Sequence, residues 1–170
     1  MTPEAFVASL QAQCRVVPWV HAINPPADQV ELQAWTRAYS GHVLPADLLR
    51  LYGCANGFSL HRIRYAAEIV GEAFVVPSLR AVQPILQAMY GRHARPLQAA
   101  PSRWFSVGRH TDGSFFVALD PRDSTYRTIA PIVPGEAEVI ARSCSEYLVW
   151  LSQFLLPPSE LSSLAAGSAA

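Results

Sequence analysis

Residues 44–58 read LPADLLRLYGCANGF, the most sharply delimited element of the chain. Pro45 suits the first helical position, because its missing N–H would have no helical partner there. One apolar stripe at helical spacing runs through the stretch: Leu44, Leu48, Leu51, Tyr52 and Ala55. Asn56 and Gly57 both tolerate the left-handed conformation that closes a helix. The stretch therefore predicts a short helix that passes the chain to an extended segment at Phe58.

Length and composition indicate one globular domain. The chain has 170 residues, of which 51% are hydrophobic and 15% charged, and this is too little charge for a disordered chain. Its formal net charge is zero, which argues against a nucleic-acid-binding protein. No apolar run approaches the roughly 18 residues needed to span a bilayer, and the acidic start MTPE is unlike a signal peptide. We therefore expect a cytoplasmic protein that binds neither nucleic acid nor a membrane.

Periodicity and turn residues predict helices first, then a sheet, then one helix. Helices are expected at 3–14, 29–40, 44–55 and 145–156, with a further one favoured from Pro84 in the ambiguous segment 78–91. Strands are expected at 58–65, 69–76, 104–108, 115–119, 125–133 and 138–141. The fold class is therefore α+β, with N-terminal helices, a mostly antiparallel β-meander of about four to six strands and one closing C-terminal helix. Residues 1–158 are expected to form this domain, and residues 159–170 a flexible tail.

The sequence contains no catalytic or metal-binding motif. Its five histidines are scattered without metal-ligand spacing, and no P-loop, GxSxG or GxGxxG motif is present. Neither a metal ion nor a cofactor is therefore expected. The three cysteines, Cys14, Cys54 and Cys144, are far apart and are expected to be buried free thiols. Cys54 would act as a nucleophile only if the fold brought a histidine beside it, and its resistance to alkylation would exclude that role.

Three acids, Asp112, Asp120 and Asp123, fall in turns of the predicted meander. Aspartates in turns usually bond to nearby backbone N–H groups, and this is the favoured interpretation. An acidic edge facing a basic partner is a second, and a site for a hard cation is a third. The tryptophans lie in apolar segments and are expected in the core: Trp19, Trp35, Trp104 and Trp150.

The order of these elements resembles the SUKH superfamily, which contains bacterial toxin-immunity proteins and a fungal regulator of cell-wall synthesis. The matching pieces are the helix from Leu44-Pro45 to Asn56-Gly57, the strand 104–108, the Asp112-Gly113 turn into 115–120, and the helix 145–156. The resemblance covers about residues 28–156. Ser114-Phe115 and the strand from Thr125 depart from the family pattern, so the chain resembles a divergent member.

The resemblance implies an α+β domain that is not an enzyme and works by binding another protein. In bacteria the partner would be a cognate toxin, many of which are nucleases, and the domain would cover the toxin's active site. As a partner surface we expect the turns of the meander and the residues beside them: Asp112, Asp120, Arg122, Asp123, Tyr126, Glu136 and Glu138. A monomer or weak dimer is expected. The alternatives are a scaffolding or regulatory module unrelated to toxins and, less favoured, a small enzyme that uses Cys54.

Overall fold

The computed structural model describes residues 1–39, 41–65, 68–90, 104–130 and 137–167. Helices lie at both ends of this chain and a sheet lies between them. The α-helices of the described residues are α1 (Pro3–Val16), α2 (Gln29–Ala38), α3 (Ala46–Cys54), α4 (Ile85–Tyr90), α5 (Cys144–Leu151) and α6 (Pro158–Gly167). The strands are β1 (Ala22–Ile23), β2 (Phe58–Tyr65), β3 (Glu68–Val76), β4 (Phe105–His110), β5 (Phe116–Asp120), β6 (Thr125–Ile129) and β7 (Ala137–Ala141).

Side-chain caps begin the helices close to where the sequence predicts. The Asp28 carboxylate accepts from the Glu31 N–H at 2.8 Å, and Glu31 accepts in return from the Asp28 N–H at 3.2 Å, so α2 starts with a full capping box. Pro45 lies one position earlier than predicted, because it is the residue before α3 rather than its first member. The Ser143 hydroxyl accepts from the Glu146 N–H at the start of α5.

The sheet is a meander in which sequence neighbours are also spatial neighbours. The described strands pair in the order β1-β2-β3-β4-β5-β6-β7, and every pair is antiparallel. The α+β class and the antiparallel meander are therefore confirmed. Seven strands are described where four to six are predicted, and the unpredicted one is β1, which pairs Ala22 with Ser59 and Ile23 with Phe58. A two-residue strand is too short to show alternation in a sequence.

Both faces of the sheet are covered at its centre. Val117 and Leu119 of β5 join the main core with α1, α3 and α5, whereas Phe116 and Ala118 of the same strand join a smaller cluster with α4. Successive side chains of a strand point to opposite faces, so β5 is buried on both sides, as its continuous apolar sequence predicts. None of the described helices is long and apolar enough to cross a membrane.

The C-terminal segment differs from the predicted tail. Residues 158–167 form helix α6, and Leu161 is buried in a cluster with Val17, Val20 and Leu156. The helix predicted at 145–156 is also shorter than expected, since α5 ends at Leu151 and a 3₁₀ turn at Ser152–Phe154 continues it. The sequence does not clearly predict α6, because the segment has few large apolar residues and is rich in alanine and serine. That composition is common both in helices and in disordered chain ends.

A buried histidine, His21, joins α1 to β2 and is connected through Gln13 to Leu156, which follows the 3₁₀ turn. His21 is 3% exposed, and its Nδ1 accepts from the His61 N–H at 3.0 Å. Its Nε2 lies 2.8 Å from the Gln13 Oε1, and Gln13 Nε2 donates to the Leu156 carbonyl at 2.8 Å. Because Nδ1 accepts a hydrogen bond, it carries no proton, so the ring is neutral and its proton lies on Nε2. Burial, and then the charge of His61, lower the pKa of His21 to about 4.

Because of His21, we expect the folded protein to lose stability in acid. Because the folded-state pKa of His21 lies below its unfolded value of about 6.5, its contribution is complete above pH 6.5 and is lost as the pH falls toward 4. Between about pH 7 and pH 4.5, protonation of His21 in the unfolded chain should lower the free energy of unfolding by about 2.5 kcal/mol. Urea unfolding at several pH values measures it. His21→Asn keeps an acceptor but cannot titrate, so an equally steep pH dependence in that variant would refute the assignment.

Candidate functional site

An open groove lies where the C-terminal end of α5 passes over the ends of β4, β6 and β7. Its volume is about 900 Å³. Its lining is apolar at the floor and polar at the rim: His110, Phe115, Thr128, Ala130, Ala137, Glu138, Ile140, Trp150, Gln153 and Phe154. We call this the aromatic groove. It is a continuation of the main core to the surface, since several of its residues also pack against the main core cluster.

A series of aromatic rings leads from the core to this groove. Tyr126 and Tyr147 are stacked with ring centroids 4.5 Å apart, and Tyr147 is stacked with Trp150 at 6.1 Å. Phe115 and Phe154 flank Trp150 at 6.2 and 5.5 Å. The two tyrosines are fully buried, whereas the three outer rings are half-buried. At protein–protein interfaces, a few anchors rich in tryptophan, tyrosine and arginine carry most of the binding energy, so an accessible tryptophan ring is a candidate anchor.

The spacing of residues along α5 and its extension brings three of these rings to one side of the helix. Tyr147 and Trp150 are three residues apart in α5, and Phe154 follows in the 3₁₀ turn, so all three point toward the sheet. Tyr147 also donates its hydroxyl to the Val107 carbonyl at 3.1 Å, which fixes α5 against β4. Phe115 comes from the hairpin between β4 and β5. The floor of the groove is thus held by the core and needs no partner to form.

Negative charge lies in the groove and beside it, since Glu138 lines the groove and Asp112 contacts the lining residue His110. Asp112, in the turn between β4 and β5, lies 2.6 Å from His110 Nδ1 and accepts from the Ser114 N–H at 2.7 Å. Hydrogen bonds from Ser114, and then from His110, lower the pKa of Asp112 to about 2. Glu138 of β7 is exposed, and no ion pair among the described residues involves it. The Asp112 carboxylate is therefore ionised at neutral pH.

The expected acidic surface does not form one patch. Asp112 and Glu138 lie at the end of the sheet where β5 begins, whereas Arg122 and Asp123 lie in the turn that follows β5. A five-residue strand spans roughly 15 Å. At the far turn the charges are locally compensated, since Arg127 lies 3.6 Å from Asp123. Glu136 lies outside the described residues.

Asp120 and Tyr126 are interior residues, contrary to their place in the expected partner surface. Asp120 is 5% exposed and accepts from Trp104 Nε1 at 2.9 Å and from the Arg122 N–H at 3.0 Å. Tyr126 is fully buried on the main core face of β6. Asp123 similarly accepts from the Thr125 N–H at 2.9 Å. The favoured interpretation of the turn acids, as partners of nearby backbone N–H groups, is what these contacts show.

The sequence does not reveal the groove residues as a site. It predicts Trp150 as a core residue, and the ring is only half-buried. Phe115 and Phe154 are likewise apolar residues in apolar segments. The one available signal is that α5 and its extension hold more large apolar residues than a single stripe needs, so part of that surface must lie off the core.

The cysteines of the structure are free. Burial raises the pKa of Cys54, and also that of Cys14, while the pKa of Cys144 rises to about 11. A raised pKa lowers the fraction of thiolate, so these groups are weak nucleophiles at neutral pH. Cys14 and Cys54 are half-buried rather than fully buried as expected. No cluster of three or more metal-ligating side chains occurs within the parts of the chain that the structure describes.

No protein-family model matches the chain, and a search of curated proteins also finds no match.

Proposed function

We propose that this chain is a non-catalytic protein-binding domain, an immunity protein that neutralises a cognate toxin in the cytoplasm by occluding it. The aromatic groove is the observation that supports the proposal most directly. Phe115, Trp150 and Phe154 are held by the core yet remain half-exposed. A preformed aromatic floor lets a partner bury apolar area without first ordering the groove, which limits the entropic cost of binding.

The resemblance of the sequence to toxin-immunity proteins selects the class of partner. An antidote must bind tightly, and tight interfaces use a few central aromatic or arginine anchors surrounded by polar contacts. The groove has this composition, with Thr128, Glu138 and Gln153 around the rings. A regulatory module with a partner unrelated to toxins would use the same surface, so the partner itself distinguishes the two.

Co-expression with the product of the adjacent gene tests the proposal. If that product is toxic when expressed alone, this chain should restore growth, because occlusion removes the toxin's activity. Growth should fail again when the chain carries Gln153→Arg, which places a long charged side chain over the exposed side of the groove. A neighbour that is harmless alone and does not bind the purified chain would overturn the assignment as an immunity protein.

A further inference from the structure

We infer that the aromatic groove binds a basic side chain, arginine or lysine, of the partner, an inference that rests on the proposed function. The groove combines two features that a cation recognises. One is a corner of three half-buried rings, formed by Phe115, Trp150 and Phe154 and here called the aromatic corner. The other is carboxylate charge: Glu138 lines the groove, and Asp112 lies beside it, 2.6 Å from the lining residue His110.

The rings of the aromatic corner all contact the buried Phe74 on the core side, and all three line the groove. Phe115 makes an angle of 78° with Trp150, and Phe154 makes an angle of 71° with it. Rings at such angles to one another present both edges and faces to a group that lies in the groove. A cation within about 6 Å of a ring centroid is attracted to the ring face, most strongly to that of tryptophan. Phe74, which is fully buried, stacks behind Phe154 at 4.9 Å and holds it in place.

The charge at the rim favours a cation over an anion or a neutral side chain. Glu138 projects from β7 beside the groove and has no ion-pair partner among the described residues, and Asp112 is engaged by His110 and Ser114. A basic side chain whose stem lies on the rings would place its charged end near these carboxylates. Opposite charges across an interface also speed association.

The same chemistry already occurs elsewhere in the chain. On the opposite face of the sheet, the Arg127 guanidinium lies 4.8 Å from the centroid of the Trp104 ring and 3.6 Å from the Asp123 carboxylate. That unit joins an arginine, a tryptophan and an aspartate. The aromatic groove presents a tryptophan and carboxylates without the arginine.

Fluorine NMR of the protein labelled with fluorotryptophan tests the inference. The probes are acetyl-Gly-Arg-Gly-amide and its neutral isostere, in which citrulline replaces arginine. The Trp150 resonance, assigned with Trp150→Phe, should shift saturably with the arginine peptide. Its affinity should exceed that for the citrulline peptide by about tenfold. Glu138→Gln should weaken binding of the arginine peptide about threefold or more, while Glu68→Gln, an equal change of charge on β3, should leave it unchanged.

Two results would overturn the inference. Equal affinity for the two peptides would show that the groove selects apolar stems only, and an unmoved Trp150 resonance at saturating peptide would show that it holds no such side chain. The outcome is separable from that of the proposed function. A toxin that is neutralised by a chain whose groove ignores arginine removes only this inference, whereas a groove that binds arginine in a chain without effect on the neighbouring gene product removes only the immunity role.

Discussion

Replacing Gly57 with alanine is expected to lower the free energy of unfolding by about 3–4 kcal/mol. Gly57 has a φ of +84°, and an added Cβ would lie 2.6 Å from the Ser78 nitrogen and 2.7 Å from the Pro77 carbonyl carbon. These are backbone atoms, so they cannot rotate away as the end of a side chain can. The substitution therefore combines an unfavourable backbone conformation with a collision between the start of β2 and the chain after β3.

Alanine substitutions at two other glycines distinguish the effect of the backbone conformation from that of the collision. Gly41 has a φ of +94° and Gly53 lies within α3, and at each of them no described atom lies within 4 Å of the added Cβ. Gly41→Ala should therefore cost about 1 kcal/mol, and Gly53→Ala should stabilise α3 by about 0.5–1 kcal/mol. Urea unfolding of the three variants gives the comparison. A Gly57→Ala variant no less stable than Gly41→Ala would show that the close approach to Pro77 and Ser78 is absent in solution.

Replacing Asn56 with alanine is expected to cost about 2–4 kcal/mol. Asn56 is 8% exposed, and its side chain joins two separate elements. Its Oδ1 accepts from the Leu79 N–H at 2.7 Å, and its Nδ2 donates to Glu31 Oε2 at 2.9 Å. Alanine leaves the buried Leu79 N–H without this acceptor and removes one of the two donors to Glu31 Oε2. An unpaired buried polar group costs more than the bond itself contributes.

Two variants sharpen the result for Asn56. Asn56→Asp keeps the acceptor for Leu79 but places a second carboxylate against Glu31, so it should also be destabilising at neutral pH. Asn24→Ala removes a donor to the Asn56 carbonyl, 2.9 Å away, from an exposed residue, and it should cost less than about 1 kcal/mol. Equal unfolding midpoints for Asn56→Ala and Asn24→Ala would contradict the bridging role of Asn56.

These two residues show what a sequence can and cannot predict. The Asn56-Gly57 pair predicts a helix end that uses the left-handed conformation, and Gly57 adopts it. Asn56 does not, because among the described non-glycine residues only His61 and Ser124 have positive φ. Its amide instead bonds to two segments that are 23 and 25 residues away along the chain. Such partners depend on the tertiary fold, and no local pattern encodes them.

The same distinction applies to the candidate site. Turn chemistry predicts where Asp112 and Asp123 lie, because Asx turns are set by two or three adjacent residues. It does not predict that β5 separates them, or that Asp120 is buried against Trp104, since both follow from strand register and packing. The sequence predicts the aromatic groove least well, because the groove depends on how α5 and its 3₁₀ extension pack over the ends of β4, β6 and β7.

The most direct measurement of the central claim is the affinity of the purified chain for the product of the adjacent gene. With Trp150→Ala the dissociation constant should rise by about 100-fold, because the variant removes the central ring of the groove. Val149→Ala, an exposed neighbour in α5 that does not line the groove, should bind as the wild type does. Gln153→Arg, at an exposed position, should weaken binding without loss of stability. Wild-type affinity in both Trp150→Ala and Gln153→Arg would contradict the account.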